Sequence, residues 1–594
     1  MSIDTVVLLL AEAIPASLYS RLSSKDVILV PEWLTIEHPR AKIERIETLQ
    51  PELQRTLSDM VESALSQADW HGADSIVDAF ANDLYAYLFR PLFTVVEALK
   101  FVIHGNIAKE VLVVHANRKS GSLPITGFAT QESPRGSKSL LGAFIAHQLK
   151  LISPLAGRVR FIEVKGDIWC NERFRKLFLS FLDIALHFRF ARELFFLRRF
   201  SGVIKDNKGE GKKTISFVVR ALHQARFSIG LASRIREDIN FVIIPQFTQG
   251  SGLTVVSALG SLRNSQHIIV PTLFQLIASW RASKIDADLL KDANDVILYI
   301  PWRIGEHMFS FPISGIATEI GTLRVLLTYR RILGCLLRKT SSFQVVNFEL
   351  MGRMAGIDRL AADDANASLT TVQSALIAET KLPVFPFAHR FYVDGPMTMD
   401  ILRGVGSTER GEVRYGGAVV KLHPITRPKP DGILAYFTQP YEYADTMNIL
   451  MDLISICYEQ KRRLLIKLHP RDVPASYRWL SKHASIVDII SRDIPADSVI
   501  KQADICLTRT SSVTKEALAF GRPVILCQWS ELDRSIVADY ASKTSGRDHR
   551  VRNRQELRSL LSDPGGLERT AIELRKIIFG DLDIEQLALK LVCE

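Results

Sequence analysis

Short apolar runs alternate along the chain with longer amphipathic stretches, and the runs are β-branched or leucine-rich enough to read as buried strands. They fall at residues 6–10, 27–30, 111–114, 159–164, 241–244, 267–270, 296–300 and 383–387. The pattern restarts at 432–437, 463–468, 485–490, 503–507 and 523–526. Strands separated by helical stretches imply parallel sheets with helices on both faces. The expected fold class is α/β, with two Rossmann-like domains facing a cleft. Residues 1–400 form the first, with helical insertions, and 432–594 the second. The stretch 401–431, rich in Gly, Arg, Pro and Lys, reads as a hinge.

Two segments depart from this rhythm. Residues 172–200 and 322–339 are apolar through the middle with Arg and Lys at their ends. A helix apolar nearly all round belongs in a core. A helix with basic ends can also rest on an anionic membrane interface, and both readings stay open.

Length and composition narrow the picture. At 594 residues the chain exceeds one ordinary core, and 47% apolar with 23% charged residues is the make-up of a folded globular protein. The net charge of +11 suits an anionic partner, whether nucleotide, nucleic acid or membrane surface, and equally a solvated basic face. No nucleic-acid-binding motif is present, so no nucleic-acid partner is expected. Six scattered cysteines without a C-x-x-C make a poor disulfide framework. The N-terminus lacks a basic region ahead of its short apolar run and reads as a strand, not a signal peptide. No run approaches the roughly 18 apolar residues of a spanning helix. A cytoplasmic enzyme is expected.

The chemistry gathers in the second half. Leu464-Leu-Ile-Lys-Leu-His469-Pro470-Arg471-Asp472 is a buried strand ending in a His-Pro turn, with Lys467 and Arg471 beside it. Ligands of open α/β sheets bind beyond the carboxyl ends of the strands. A histidine there can donate to a phosphate oxygen. His423-Pro424 repeats the tetrapeptide inside the hinge and is set aside. One βα unit later a strand runs into Thr508-Arg-Thr510-Ser511-Ser512 and a helix. Thr510, Ser511 and Ser512, with the open N–H groups of that helix end, would hold an anion; plain N-capping is the simpler alternative. Glu516, one turn on, could accept ribose hydroxyls. Thr438 and Gln439 end the first strand of the second domain and would face the leaving phosphate.

These residues carry a resemblance. A His-Pro after the second strand and a Ser-Ser opening a later helix resemble the HP and S-S/T motifs of bacterial sialyltransferases and polysialyltransferases. CMP-Kdo-dependent surface-polysaccharide transferases share the His-Pro feature. The resemblance covers about 433–537, with a looser echo at 374–389. It implies a GT-B glycosyltransferase that moves an ulosonic sugar from a CMP ester to a glycan acceptor; if segment 172–200 or 322–339 rests on the inner leaflet, that acceptor is expected to be lipid-linked. His469, Ser511 and Ser512 would bind the CMP phosphate. No metal or other cofactor is implied. The general base belongs to the first domain. Asp394 in Tyr392-Val-Asp-Gly395 is the first candidate, Glu12 the second, and Glu163 and Asp167 follow. Rival readings are a CDP-polyol phosphotransferase, which needs a second histidine such as His115 or His389, an epimerase, and a non-enzymatic basic binding protein.

Overall fold

The structure is a computed structural model. It describes residues 3–593 except 12, 32–35, 37, 47–59, 61–62, 71–73, 80–91, 93, 101–107, 117–134, 153–157, 166–213, 245–251, 260–265, 293–295, 305, 315–323, 350–352, 375–387, 405–410, 440–442, 470–471, 493, 531–532 and 534–548.

Three parallel sheets follow one another along the chain. The first has β1 (Ile3–Leu10), β2 (Val27–Pro31), β3 (Lys42–Ile46), β4 (Ala108–Ala116) and β5 (Val159–Val164), in the order β3-β2-β1-β4-β5. The second begins with β6 (Thr214–Val218), β7 (Asp238–Val242) and β8 (Gln266–Ile269). After an antiparallel hairpin of β9 (Ile297–Ile304) and β10 (His307–Ser314), it continues with β11 (Ser342–Asn347), β12 (Ser368–Val372), β13 (Arg390–Val393) and β14 (Glu412–Tyr415). Its order is β14-β13-β12-β11-β6-β7-β8. The third has β15 (Leu434–Phe437), β16 (Leu464–Lys467), β17 (Val487–Ile490), β18 (Ile505–Thr508), β19 (Val524–Cys527) and β20 (Arg550–Val551), in the order β17-β16-β15-β18-β19-β20. The protein is therefore α/β, and its second and third sheets are Rossmann-like. In each of these two, strand order reverses beside the first strand, between β6 and β11 and between β15 and β18. Such a reversal opens a crevice at the strand ends.

The helices that matter below are α1 (Leu222–Ala232), α2 (Leu273–Asp292), α3 (Arg324–Lys339), α4 (Arg353–Asp363), α5 (Pro396–Gly404), α6 (Ala496–Ile500), α7 (Val513–Ala519), α8 (Pro564–Phe579) and α9 (Ile584–Cys593).

The third sheet matches the sequence reading closely. The second does not, because three of its strands escape a hydrophobicity pattern. β6, β11 and β12 carry buried Ser216, Ser342, Gln344, Asn347, Thr370 and Thr371. These groups bond sideways between neighbouring strands: Ser216 to Ser342 at 2.6 Å, Gln344 to Thr370 at 3.0 Å, Thr371 to Asn347 at 2.6 Å. A buried polar group is tolerated when it finds such a partner, and here the partner is the next strand. The run at 296–300 belongs to the hairpin and not to a parallel sheet, and 383–387 lies outside the described residues.

α3 decides one of the two open readings. Leu327, Ile332, Leu333, Leu336 and Leu337 are fully buried. Arg330 forks onto Asp364 at 2.9 Å, and Arg331 onto Asp286 of α2 at 2.7 and 3.2 Å. Two of the cations that suggested a membrane contact are therefore internal ties on a core helix, while Arg338 and Lys339 at its end are exposed. Residues 172–200 lie outside the description. Among the described residues no helix is long and apolar enough to cross a membrane.

The expected hinge is the edge strand β14 followed by a strap. His423 donates its N–H to Ala519 at 2.8 Å and stacks its ring on Phe520, which is a packing role. The end of the chain then returns to the second sheet. Leu587, Ala588 and Leu591 of α9 are buried in its core, and Lys590 reaches the Tyr415 carbonyl at 2.6 Å. α8 and α5 pack so closely that a Cβ on Gly395 would collide with the Ile578 carbonyl. Gly395→Ala is therefore expected to destabilise the fold by about 1–3 kcal/mol, the usual cost of overpacking. Urea unfolding would show this as a lower midpoint.

Candidate active site at the strand ends

β15 pairs with β16 on one side and β18 on the other, with Phe437 level with both Lys467 and Thr508. The next turns bring Gln439, His469 and Thr510 to the same edge. Gln439 ties across the switch point, donating to the Thr510 hydroxyl at 2.9 Å and accepting the Thr510 N–H at 2.8 Å. The His469 turn is built from inside. Its N–H reaches Thr438 Oγ1 at 2.8 Å and Asp472 Oδ2 at 2.9 Å, and the Thr438 hydroxyl donates to the same carboxylate. Asp472 is buried, and sequence reasoning passed over it although it ends the quoted motif.

Two candidates change role. Thr438 is buried and belongs to the His469 turn, not to a ligand. Lys467 is also buried and directs its ammonium at the carbonyls of Leu468, 2.6 Å away, and Arg492, 3.2 Å away. Arg509 is fully buried against Asp533 at 2.8 and 3.1 Å, with Asp445 at 3.4 Å. Pro470 and Arg471 lie outside the described residues.

The Ser-Ser turn stands at the mouth of α7. Ser511 is half-buried, its Oγ accepting the Val513 N–H at 3.3 Å. Ser512 is exposed and occupies the N-cap position, yet its hydroxyl makes no capping bond. Capping thus accounts for one serine. Glu516 follows, half-buried. Burial, and then Asp497, raise its carboxyl above the ordinary range, while Lys515 and Arg226 pull it back.

The opposite wall comes from the second sheet. Asp394, at the end of β13, is buried and forms an ion pair with Lys515 of α7. No further hydrogen bond to either charged end is made among the described residues. Burial pushes the Lys515 ammonium down to about 7, with Glu516 working the other way. A carboxylate so enclosed holds two sheets together and is badly placed to reach an acceptor, which corrects its reading as the base. Glu12 and Asp167 lie outside the described residues. Glu163 is paired with Lys150 at 2.9 Å on the first sheet. His115 is buried at the end of β4 on that same sheet. His389 precedes β13, at the amino edge, where it meets Asp363 at 3.2 Å.

What the sequence reading missed stands at the reversal between β6 and β11. Arg220, just beyond β6, is buried against Tyr329 and Asp358. Its N–H donates to the Gln224 side chain at 2.8 Å, and Gln224 donates to Glu349 at 3.0 Å. Glu349 follows β11 and keeps 23% of its side chain exposed. His223 is exposed in the first turn of α1. Although the side chain keeps an exposed side, the protein groups packed around its ring desolvate it and lower its pKa, and the Glu349 carboxylate opposes that shift. One turn on, Arg226 crosses to Asp497 of α6 at 3.3 Å. That contact brings the first half of α1 against α6 of the third sheet. The only sequence signal was a His and a Glu each just beyond a strand, and those strands were the polar ones. Among the described residues no three His, Cys, Asp or Glu side chains gather as a metal site.

No protein-family model matches the chain, and no curated protein matches it. Solved structures do. The glycotransferase of kitacinnamycin is 12% identical, covering 64% of this chain and 99% of its own, with a TM-score of 0.40. The pneumococcal O-GlcNAc transferase GtfA, in complex with UDP and GlcNAc, is 12% identical over 65% of this chain and 100% of its own, with a TM-score of 0.38. UDP-GlcNAc 2-epimerase from Neisseria meningitidis, bound to UDP-GlcNAc, is 11% identical over 64% of this chain and 99% of its own, with a TM-score of 0.41.

The enclosed pair makes a direct prediction. Lys515→Met leaves Asp394 charged and unpartnered, and should cost about 3–5 kcal/mol. The double variant with Asp394→Asn should recover much of that loss in urea unfolding. Single variants as stable as the parent would show that the pair does not bind the sheets.

Proposed function

We propose that the protein is a GT-B-type glycosyltransferase that transfers a sugar from a nucleotide-activated donor in the crevice between its second and third sheets. The observation that carries this reading is the convergence of Gln439, His469, Thr510 and the Ser511-Ser512 turn at the reversal of one Rossmann-like sheet; in this reading His223 and Glu349, at the reversal of the other, face them, α1 being tied to α6 through Arg226 and Asp497. The nucleotide phosphate binds at the third sheet, which serves as the donor side. Residues 214–415 supply the acceptor side.

Chemically, the acceptor hydroxyl attacks the anomeric carbon and the bond from that carbon to the donor phosphate breaks. His223 takes the acceptor proton, and Glu349 stabilises the imidazolium that results. The departing nucleotide keeps the bonding electrons, and its growing charge meets His469, the serine hydroxyls and the N–H groups opening α7.

The donor we favour is a CMP-activated ulosonic sugar, as the His-Pro and Ser-Ser motifs imply, and the acceptor a surface glycan. Charge supports a donor with one phosphate. Lys467 and Arg509 are committed to carbonyls and carboxylates, so among the described residues the strand ends offer hydrogen-bond donors more than positive charge. Transfer of a polyol phosphate from a CDP ester is the second reading, since His223 supplies the second histidine it requires. Consumption of CDP-glycerol and not of a CMP-sugar would establish it.

Two outcomes test the proposal. CMP at about a hundredfold its Kd should stabilise the protein by about 2.7 kcal/mol, and His469→Ala should remove the shift without lowering the ligand-free Tm. A shift with UDP alone would overturn the CMP donor. His223→Ala should cut transfer by roughly 10²–10⁴-fold and leave nucleotide binding intact. Because the His223 pKa is lowered, the neutral base persists to more acid pH than an ordinary histidine would, so the acid-side fall in activity should lie below the pH at which an ordinary histidine protonates.

A further inference from the structure

α1 begins without a side-chain cap: Ala221 stands at its N-cap position and has no side-chain oxygen to offer. Gln224, three residues on and buried, reaches back instead and accepts the Arg220 N–H at 2.8 Å. A backbone N–H can only donate, so the Gln224 carbonyl oxygen is committed there and its amide nitrogen points the other way. That nitrogen donates to Glu349 Oε1 at 3.0 Å. The same oxygen lies 3.8 Å from Nη1 of Arg220, whose guanidinium is locked on Asp358 and Tyr329. Asp358 also accepts from Asn347, the last residue of β11, at 2.7 Å. One oxygen of Glu349 is thus gripped from inside the protein while part of the side chain stays open to solvent. The His223 ring packs edge-on against Phe227, and Phe227 leans on Phe348, the residue before Glu349.

We propose that Gln224 is a positioning residue for transfer: it holds the Glu349 carboxylate, ionised and fixed in direction, beside His223. The proposal rests on the reading of His223 as the base. A glutamate side chain left alone turns freely into water, and its charge then does little for a neighbouring imidazolium. A donated N–H both fixes the carboxylate and favours its charged form. Glu349 alone supplies negative charge to the His223 ring. The other charge acting on that ring is Arg226 on the same helix, which Asp497 of α6 partly neutralises. Gln224 reaches the reacting atoms only through Glu349, so its substitution should act on catalysis and leave donor binding, on the other sheet, untouched.

Gln224→Met keeps the length of the side chain and removes both of its bonds. It should lower kcat by roughly 10- to 100-fold with the KM for the donor unchanged. The His223 imidazole, followed by NMR in the full chain and assigned with His223→Ala, should titrate at lower pH than in the parent, because the carboxylate that favours its charged form is no longer held beside it. In a Glu349→Gln background the same substitution should change kcat by no more than about twofold, since its effect passes through Glu349. Gln224→Glu keeps the bond to the Arg220 N–H and sets a second carboxylate against Glu349; above neutral pH it should lose transfer in the same way, which keeps the test open should the methionine variant fail to fold. A parental His223 titration in Gln224→Met, or a full further loss of kcat in the Glu349→Gln background, overturns the proposal. The titration reads the contact whether or not His223 is the base, so the two failures separate: transfer that survives His223→Ala overturns the base, and an unmoved titration overturns the positioning role alone.

Discussion

A lone carboxylate or ammonium withdrawn from water carries a desolvation cost of several kcal/mol, and the cost falls only when the two charges meet. Asp394 and Lys515 meet in this way, one from the end of β13 and the other from the first turn of the helix that opens on the Ser-Ser motif. The pairing sets the distance between the second and third sheets. It also orients α7, and with α7 the hydroxyls of Ser511 and Ser512. The close approach at Gly395 and the return of α9 onto the second sheet hold the same junction from other sides. The crevice therefore has stiff walls below and strand-end side chains at its rim.

Sequence patterning read the third sheet well because its strands are conventional. β15, β16, β18 and β19 are buried throughout, so each appears as a compact apolar run. The second sheet hides its central strands behind serine, threonine, asparagine and glutamine that pair laterally, strand to strand. Hydropathy cannot distinguish a polar residue in a loop from one whose partner lies a hundred residues away, as Ser216 and Ser342 do. That blind spot hid the division of residues 3–415 into two parallel sheets and a hairpin.

The site divided along the same line. His469, Thr510 and the two serines were legible because a motif announced them on recognisable strands. Their supporting groups, Asp472 beneath the His469 turn and Gln439 across the switch point, became clear only from hydrogen bonds. Asp394 was singled out correctly as a strand-end acid, but its partner sits far along the chain, and burial converts it from a base to a tie. His223 and Glu349 escaped because the strands that present them escaped. α3 shows the converse: its cations looked like a membrane signature, and Asp364 and Asp286 neutralise two of them, Arg330 and Arg331, from within the protein.

The central claim is that nucleotide binds at the reversal of the third sheet, against the wall formed by α1 and β11. Amide hydrogen exchange with and without CMP tests it most directly, because the backbone of each sheet reports separately. The account predicts slowed exchange at 438–439, at 469 and across 509–516, with a smaller effect in the first turn of α1. Protection confined to the ends of β1 and β4 on the first sheet would contradict it.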